Sequence, residues 1–320
     1  MQGMHVTVFG GSGFIGRHLV RRLARAGAVV TVAVRDPEAA IFLKPMGDVG
    51  QITPLYANVR KPASVARAIE GADAVVNLVG VLHQSDQTFS ATHAVGARNV
   101  AQAVAQAGIT SFIQLSAIGA DAGSRALYAR TKAAGEAAAR ESVPTAIILR
   151  PSVVFGPEDD LMNRFGAMSR IAPALPLVGG GHTRFQPVFV GDVADAIMAA
   201  LVREDAQGKT FELGGPRVMT FREILEFVLQ QTGRKALLLP IPFAVAKIMG
   251  AVLQFLPAPP LTLDHVRLLQ DDNVVDEGKP GFADLGITDL ETVEAVVPAY
   301  LARFRKPGQS TVATVDRVMD

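Results

Sequence analysis

A chain of 320 residues with 31 Lys+Arg against 30 Asp+Glu carries almost no net charge, which excludes a basic nucleic-acid binder and an acidic solvating protein. It has no cysteine, so disulfide frameworks, thiolate metal sites and cysteine nucleophiles are excluded as well. Hydrophobic residues at 49% and charged residues at 19% describe a globular chain long enough for one large domain or two small ones.

Met1–Phe9 is too short, and too soon followed by glycines, for the apolar core of an export signal. A cytoplasmic location is expected. His5–Phe9 reads as a strand and Phe14–Ala26 as a helix, followed by strands Val29–Val34 and Gln51–Tyr56. Helix Pro62–Glu70, strand Ala74–Leu78, helix Phe89–Ala107 and strand Ser111–Leu115 come next. Helix Tyr128–Glu141 and strand Thr145–Leu149 complete the series. Strands alternating with helices imply βαβ units, and near-continuous apolar runs imply a parallel sheet covered on both faces. The expected fold is α/β, a Rossmann-type doubly wound sheet over 1–150. After Arg150-Pro151, proline and glycine become dense and the elements shorten. A smaller mixed lobe is expected over 151–306, interleaved with the first. Pro307–Asp320 lacks an apolar stripe and reads as a mobile tail.

Between the first strand and the first helix stands G-G-S-G-F-I-G, with Gly10, Gly13 and Gly16 at dinucleotide spacing. Gly10 permits the tight turn, Gly13 lets the backbone approach a pyrophosphate, and Gly16 lets the helix sit close to the sheet. The amides of Phe14, Ile15 and Gly16 then open a helix whose positive end faces the phosphates. The second strand ends in Val34-Arg35-Asp36. A guanidinium at that tip suits a 2′-phosphate and favours NADP(H), while Asp36 leaves the ribose bond of NAD(H) open. Ligands lie beyond the carboxyl ends of parallel strands. Asn58-Val59 is therefore expected near the adenine, and Leu78-Val79-Gly80 near the second ribose.

Tyr128 and Lys132 are four apart at the start of a helix and share one face. A neighbouring ammonium is expected to lower the tyrosine pKa, and the same lysine can hold the nicotinamide ribose.

The glycine turn together with Tyr128…Lys132 resembles the short-chain dehydrogenase/reductase superfamily in its extended or atypical branch. Ile147–Pro157 resembles that branch's passage into the smaller lobe. Pro187–Ala196 resembles its second-lobe strand and helix start, with Asp192 as N-cap. Within the branch, Y-A-R-T-K-A-A-G-E over Tyr128–Glu136 is similar to the nucleotide-binding accessory subunits of respiratory complex I and their bacterial relatives. So are Gly156–Asp159, Phe165–Met168, Gln186–Val190 and Ala283–Ile287. Active members of the superfamily carry a Ser or Thr just past the fifth strand. Here Ala117 or Ile118 falls at that place, and Ser116 at the strand end is the remaining hydroxyl.

The resemblance implies complex I subunits as partners, with the cofactor structural or regulatory. The location implied is peripheral, at the cytoplasmic face of the inner membrane, or the matrix side in a mitochondrion. The alternative is an NADP-dependent oxidoreductase, epimerase or dehydratase acting on a sugar nucleotide or other carbonyl. Tyr128 would then be the acid/base, Lys132 its partner and Ser116 a displaced hydroxyl. A reductase of quinone or flavonoid type is a third reading.

The 6 histidines show no metal-ligand spacing, and only His83 falls near the presumed nicotinamide. No metal is expected. Arg150 and Arg184 either serve an anionic ligand in the cleft or form structural ion pairs. Phe243–Leu256 is apolar except for Lys247 and Gln254, and apolar residues continue to Leu263. The stretch at 243–263 either packs into the smaller lobe or meets a partner or membrane surface.

Overall fold

Short runs that are apolar at nearly every position can be stable only where both faces are covered, and six such runs line up side by side here. The computed structural model describes residues 1–82, 88–256 and 259–306. In chain order the first elements are β1 (His5–Phe9), α1 (Phe14–Arg25), β2 (Val29–Val34), β3 (Ile52–Tyr56), α2 (Pro62–Ala68) and β4 (Ala74–Asn77). Then follow α3 (Ala97–Gln106), β5 (Ser111–Leu115), α4 (Leu127–Ser142) and β6 (Ile147–Pro151). Beyond them lie α5 (Leu161–Met168), α6 (Val190–Val202) and a seventh strand, β7 (Thr210–Leu213). The strand order is β7-β6-β5-β4-β1-β2-β3, and every neighbouring pair is parallel. The chain reverses its direction of travel across the sheet between β1 and β4, which makes their carboxyl ends the switch point.

One compact unit comprises Met1–Pro151, Val190–Leu213 and Asp276–Thr288. Phe9, Phe112 and Ile148 of its sheet pack with Val65, Val100, Val104 and Ala139 from α2, α3 and α4. Leu19, Val20 and Leu23 of α1 and Val193 and Ile197 of α6 are also fully buried, and these two helices pack on each other. The sequence places α6 in the smaller lobe, but it belongs to this unit. It begins at Val190, so Asp192 lies inside the first turn and is not the N-cap.

Three local expectations shift. Gln51 is not in β3; its side-chain amide donates to Ala24 O and Ala28 O and ties down the turn ahead of the strand. Thr145 is not in β6, because Ala146 N–H bonds back to Val143 O in a turn, and the strand starts two residues later. The helix expected over Phe89–Ala107 exists, but Ser90–Gly96 winds as a π-helix before α3 begins.

The second unit comprises Ser152–Phe189, Gly214–Val275 and the described residues from Asp289 onward. It holds three two-stranded pairings, with Val154–Phe155 beside Val188–Phe189, Arg184–Phe185 beside Met219–Thr220, and Ala174–Val178 beside Leu237–Ile241. Its helices include α7 (Phe221–Thr232), α8 (Phe243–Leu253), α9 (Leu263–Leu268) and α10 (Val293–Leu301). A capping box between Thr220 and Glu223 starts α7, and left-handed Gly233 ends it. Phe155, Met162, Ile224, Val228, Val297 and Leu301 form its main core.

Along α8 only Ala246 and Gly250 are buried. Gly250 has no room for a Cβ, which would stand 2.8–2.9 Å from the backbone of Thr262 and Leu263, so α8 and α9 approach closely. The opposite side is left open, with Ile248 69%, Val252 66% and Phe255 83% exposed. Leu237 and Leu239 are exposed as well. Pro257 and Ala258 lie outside the described residues. Among the described residues no helix is long and apolar enough to cross a membrane.

Candidate functional site

The loops at the carboxyl ends of β1 and β4 lie side by side. Gly10 takes φ +76, closed by its N–H to Ala33 O at 3.1 Å, and Gly13 N–H returns to Gly10 O at 3.0 Å. A Cβ on Gly16 would stand 2.5 Å from Gly10 O and 2.6 Å from Gly11, so no side chain fits. A Cβ on Gly13 would meet only Gly10 O at 3.2 Å, which leaves its other side open. Gly13 is the extended residue ahead of α1, and the first turn of α1 has no acidic side chain. Phe14 and Ile15 are half-buried beside it. This is a backbone cradle suited to a phosphate anion.

At the tip of β2, Arg35 and Asp36 are both exposed. Asp36 Oδ1 accepts from Ala39 N–H at 3.1 Å and opens the next turn. A second guanidinium escapes sequence reasoning. Arg17 lies 5.2 Å over the Phe42 ring and donates through Nη2 to Ser12 O. Its position directly after Gly16 was the available signal. Asn58 is buried, with Oδ1 accepting from Arg60 N–H and its own N–H donating to Ser64 Oγ, and Val59 is buried next to it. The Asn58 side chain therefore shapes its loop.

After β4, Val79 N–H donates to Asn77 Oδ1, and Asn77 Nδ2 donates to Gln114 Oε1 on β5. Leu78 and Val79 touch Gly10, whose Cβ would lie 3.4 Å from their backbone. Gly80 approaches α4 closely, since its Cβ would be 3.3 Å from Lys132 Nζ and 3.7 Å from His93 Nε2. Lys132 thus lies between the Gly80 loop and the Tyr128 ring.

The electrostatics differ from the expectation. Lys132 Nζ stands 5.8 Å from the centroid of the Tyr128 ring and donates to Leu115 O at 3.4 Å. Burial pushes the Tyr128 phenol up to about 12, where a lowering was expected. Burial also pulls Lys132 down to about 8, against the opposing pull of Glu136 one turn on. Desolvation outweighs the mutual attraction at that separation. Ser116 is 3% exposed, its N–H donates to Leu149 O, and its Oγ has no hydrogen-bond partner among the described residues. No hydroxyl stands at Ala117 or Ile118, and Ile118 is turned into the core with its N–H on Pro151 O.

His93 is buried in the same site, 3% exposed. Its Nε2 accepts from Val81 N–H at 3.0 Å and its Nδ1 faces Thr131 Oγ1 at 3.1 Å. Burial, and then the Lys132 charge, push it down to about 3. His83 lies outside the described residues. Among those described, no three His, Asp or Glu side chains cluster to hold a metal ion.

Both arginines left open between ligand and ion pair are in ion pairs. Arg150 forks onto Glu136 at 2.6 and 2.8 Å and reaches Glu212 at 3.4 Å; Glu212 also takes Lys279 at 2.8 Å. Arg184 meets Asp272 at 2.7 Å.

A backbone cradle for phosphate, a lysine beside a bare glycine loop and an orphaned buried serine hydroxyl form a donor set that fits a dinucleotide. Residues 6–214 match the family model described as the NAD dependent epimerase/dehydratase family. The chain belongs to that family. The NADH dehydrogenase [ubiquinone] 1 alpha subcomplex subunit 9 of Arabidopsis thaliana is 36% identical over 98% of this chain and 81% of its own length. The ceramide reductase of Caulobacter vibrioides is 31% identical over 74% of this chain and 73% of its own. Among solved structures, MoeE5 in complex with UDP-glucuronic acid and NAD superposes with TM-score 0.69 at 18% identity, covering 93% of this chain and 97% of that one, which shows the shared fold. The fold, the cradle and the family agree on a nicotinamide nucleotide as cofactor.

Proposed function

We propose that this protein is a nucleotide-holding accessory subunit associated with respiratory complex I, its bound cofactor serving structure or regulation. The likeness to the Arabidopsis subunit, running through nearly the whole of both chains, carries this reading. The site supports it. Gly10, Gly13, Phe14, Ile15 and Gly16 hold the pyrophosphate. Asn58 and Val59 border the adenine; Leu78, Val79 and Gly80 border the nicotinamide ribose. Lys132 holds that ribose, Tyr128 closes over it, and Ser116 supplies its hydroxyl to the nicotinamide side. Arg35 favours NADP(H) over NAD(H) through the 2′-phosphate. A reductase needs a phenol poised to give and take a proton, and a hydroxyl to orient a carbonyl. Here the phenol is pushed up and the hydroxyl position is Ala117 or Ile118. Losing one such donor costs about 10²–10³ in rate.

The partner surface in this reading is the apolar side of α8 with Leu237, Leu239 and Phe255, meeting complex I subunits or the membrane surface beside them. The chain then sits peripherally on the inner membrane, on the cytoplasmic or matrix side.

A second reading is a reductase of a hydrophobic carbonyl substrate. It is favoured by the retained Tyr128–Lys132 pair and the likeness to a ceramide reductase. A bound nicotinamide would supply the hydride.

Native electrophoresis of gently solubilised membranes tests the choice. Comigration with NADH:quinone oxidoreductase is expected; a free protein with turnover would move the assignment to the reductase. Calorimetry tests the cofactor. NADPH is expected to bind tighter than NADH, with Arg35→Ala narrowing the gap, and equal affinities in the unmodified protein would remove the argument for NADP(H).

A further inference from the structure

We propose that His93 is the positioning residue of the nucleotide site, fixing the Gly80–Val81 backbone against Lys132 as a neutral imidazole protonated at Nδ1. The proposal rests on the dinucleotide reading above. A backbone N–H can donate only to a bare ring nitrogen, so the 3.0 Å bond from Val81 to Nε2 puts the ring proton on Nδ1. Nδ1–H then donates to Thr131 Oγ1, and the Thr131 hydroxyl donates onward to Tyr128 O at 2.9 Å. The bonds run one way, from the loop after β4, through the imidazole, to the first turn of α4.

The ring cannot turn out of this arrangement. Phe89 stacks on it at 5.5 Å and 14°, and Tyr128 meets it edge-on at 5.3 Å and 87°. The π-helical winding of Ser90–Gly96 brings His93 inward, and Gly135 makes room for it. A Cβ on Gly135 would lie 2.4 Å from His93 O. The side chain thereby joins the two segments that border Lys132 Nζ, the Gly80 loop and α4. An imidazolium would lose the Val81 bond and stand beside the Lys132 charge; burial and that charge both keep the ring neutral. Without the tie, the Gly80 loop is free to move from the place where the ribose must meet Lys132.

The test compares His93→Leu, which removes both ring nitrogens, with His93→Gln, whose carbonyl oxygen can reach the Nε2 position and accept from Val81. NADPH affinity by calorimetry on the full chain should fall about 3- to 10-fold in the leucine variant and recover largely in the glutamine variant. Long-range ¹⁵N–¹H NMR of the cofactor-free protein should show a His93 ring protonated at Nδ1 and bare at Nε2. A folded His93→Leu that binds NADPH as tightly as the unmodified chain overturns the proposal, as does a ring protonated at Nε2. If the leucine variant does not fold, Thr131→Val removes the acceptor of Nδ1–H and is expected to weaken binding in the same direction; unchanged binding there counts against it. Failure of the unmodified protein to bind either NADPH or NADH sinks the dinucleotide reading itself, while the tautomer spectrum still reports on the His93 geometry.

Discussion

Lys132 is held in a conflict. It is 8% exposed, and burial draws it down to about 8, so the folded, cofactor-free chain carries an ammonium at neutral pH at a cost. Its folded pKa lies below that of an unfolded lysine. The penalty is therefore fully present below about pH 8 and relieved as pH rises from there toward about 10.4. Lys132→Met should raise the melting temperature of the cofactor-free protein at pH 7 by about 2–4 °C for each kcal/mol relieved. It should also weaken NADPH binding, because ribose hydroxyls lose their ammonium. Thermal unfolding with and without NADPH reads both effects. Unchanged affinity together with loss of a real activity would make the lysine a catalytic partner of Tyr128. In the unmodified chain, NADPH affinity should decline as pH rises past about 8. Tyr128 and Tyr300 are both pushed up by burial. An ultraviolet titration of phenolate absorbance should show neither ionising below about pH 11 while the fold persists.

At the scale of elements, the glycines of the cradle have different physical jobs that substitutions can separate. Gly16→Ala puts a Cβ into the backbone of Gly10 and Gly11, and this should destabilise the β1–α1 turn by about 1–3 kcal/mol. Gly13→Ala meets only Gly10 O at 3.2 Å. Its methyl occupies the side where a pyrophosphate must approach. The melting temperature should therefore fall clearly for Gly16→Ala and little for Gly13→Ala, while NADPH affinity falls in both. Unchanged NADPH affinity in a folded Gly13→Ala would show that the open side of Gly13 is not a ligand face. The glycine spacing was legible because each requirement acts within one turn. The π-helix at Ser90–Gly96 was not legible. Its residues have an ordinary helical pattern, and its close packing is on Gly135 of α4, which is distant in sequence.

At the scale of the whole molecule, the second unit exposes a side of α8 that an isolated soluble protein has no reason to keep apolar. On the accessory-subunit proposal, Phe255→Glu, at a residue 83% exposed, should leave the melting temperature within about 1–2 °C of the unmodified chain and yet reduce assembly into the respiratory complex. Native electrophoresis of membranes from cells carrying the variant reads this directly. Normal assembly would mean that the side containing Phe255 faces solvent in the working protein.

The sequence by itself determined the alternation of strands and helices over the first 150 residues, the parallel sheet, the glycine turn, the Tyr128–Lys132 spacing and the apolar character of Phe243–Leu256. All of these are written in spacings of a few residues, where backbone geometry and period act locally. Tertiary structure alone decided which way the electrostatics ran. The Tyr128 phenol moves up and not down because burial outweighs an ammonium nearly 6 Å from its ring, and burial is a property of everything packed around it. Arg150 is a structural cation because Glu136 and Glu212 arrive from other elements. His93, one of 6 unremarkable histidines in the sequence, belongs to the site because β4, the π-helix and α4 converge on it. Pairings between residues far apart in the chain leave no local signal, since the free energy that selects them exists only after the chain has closed around them.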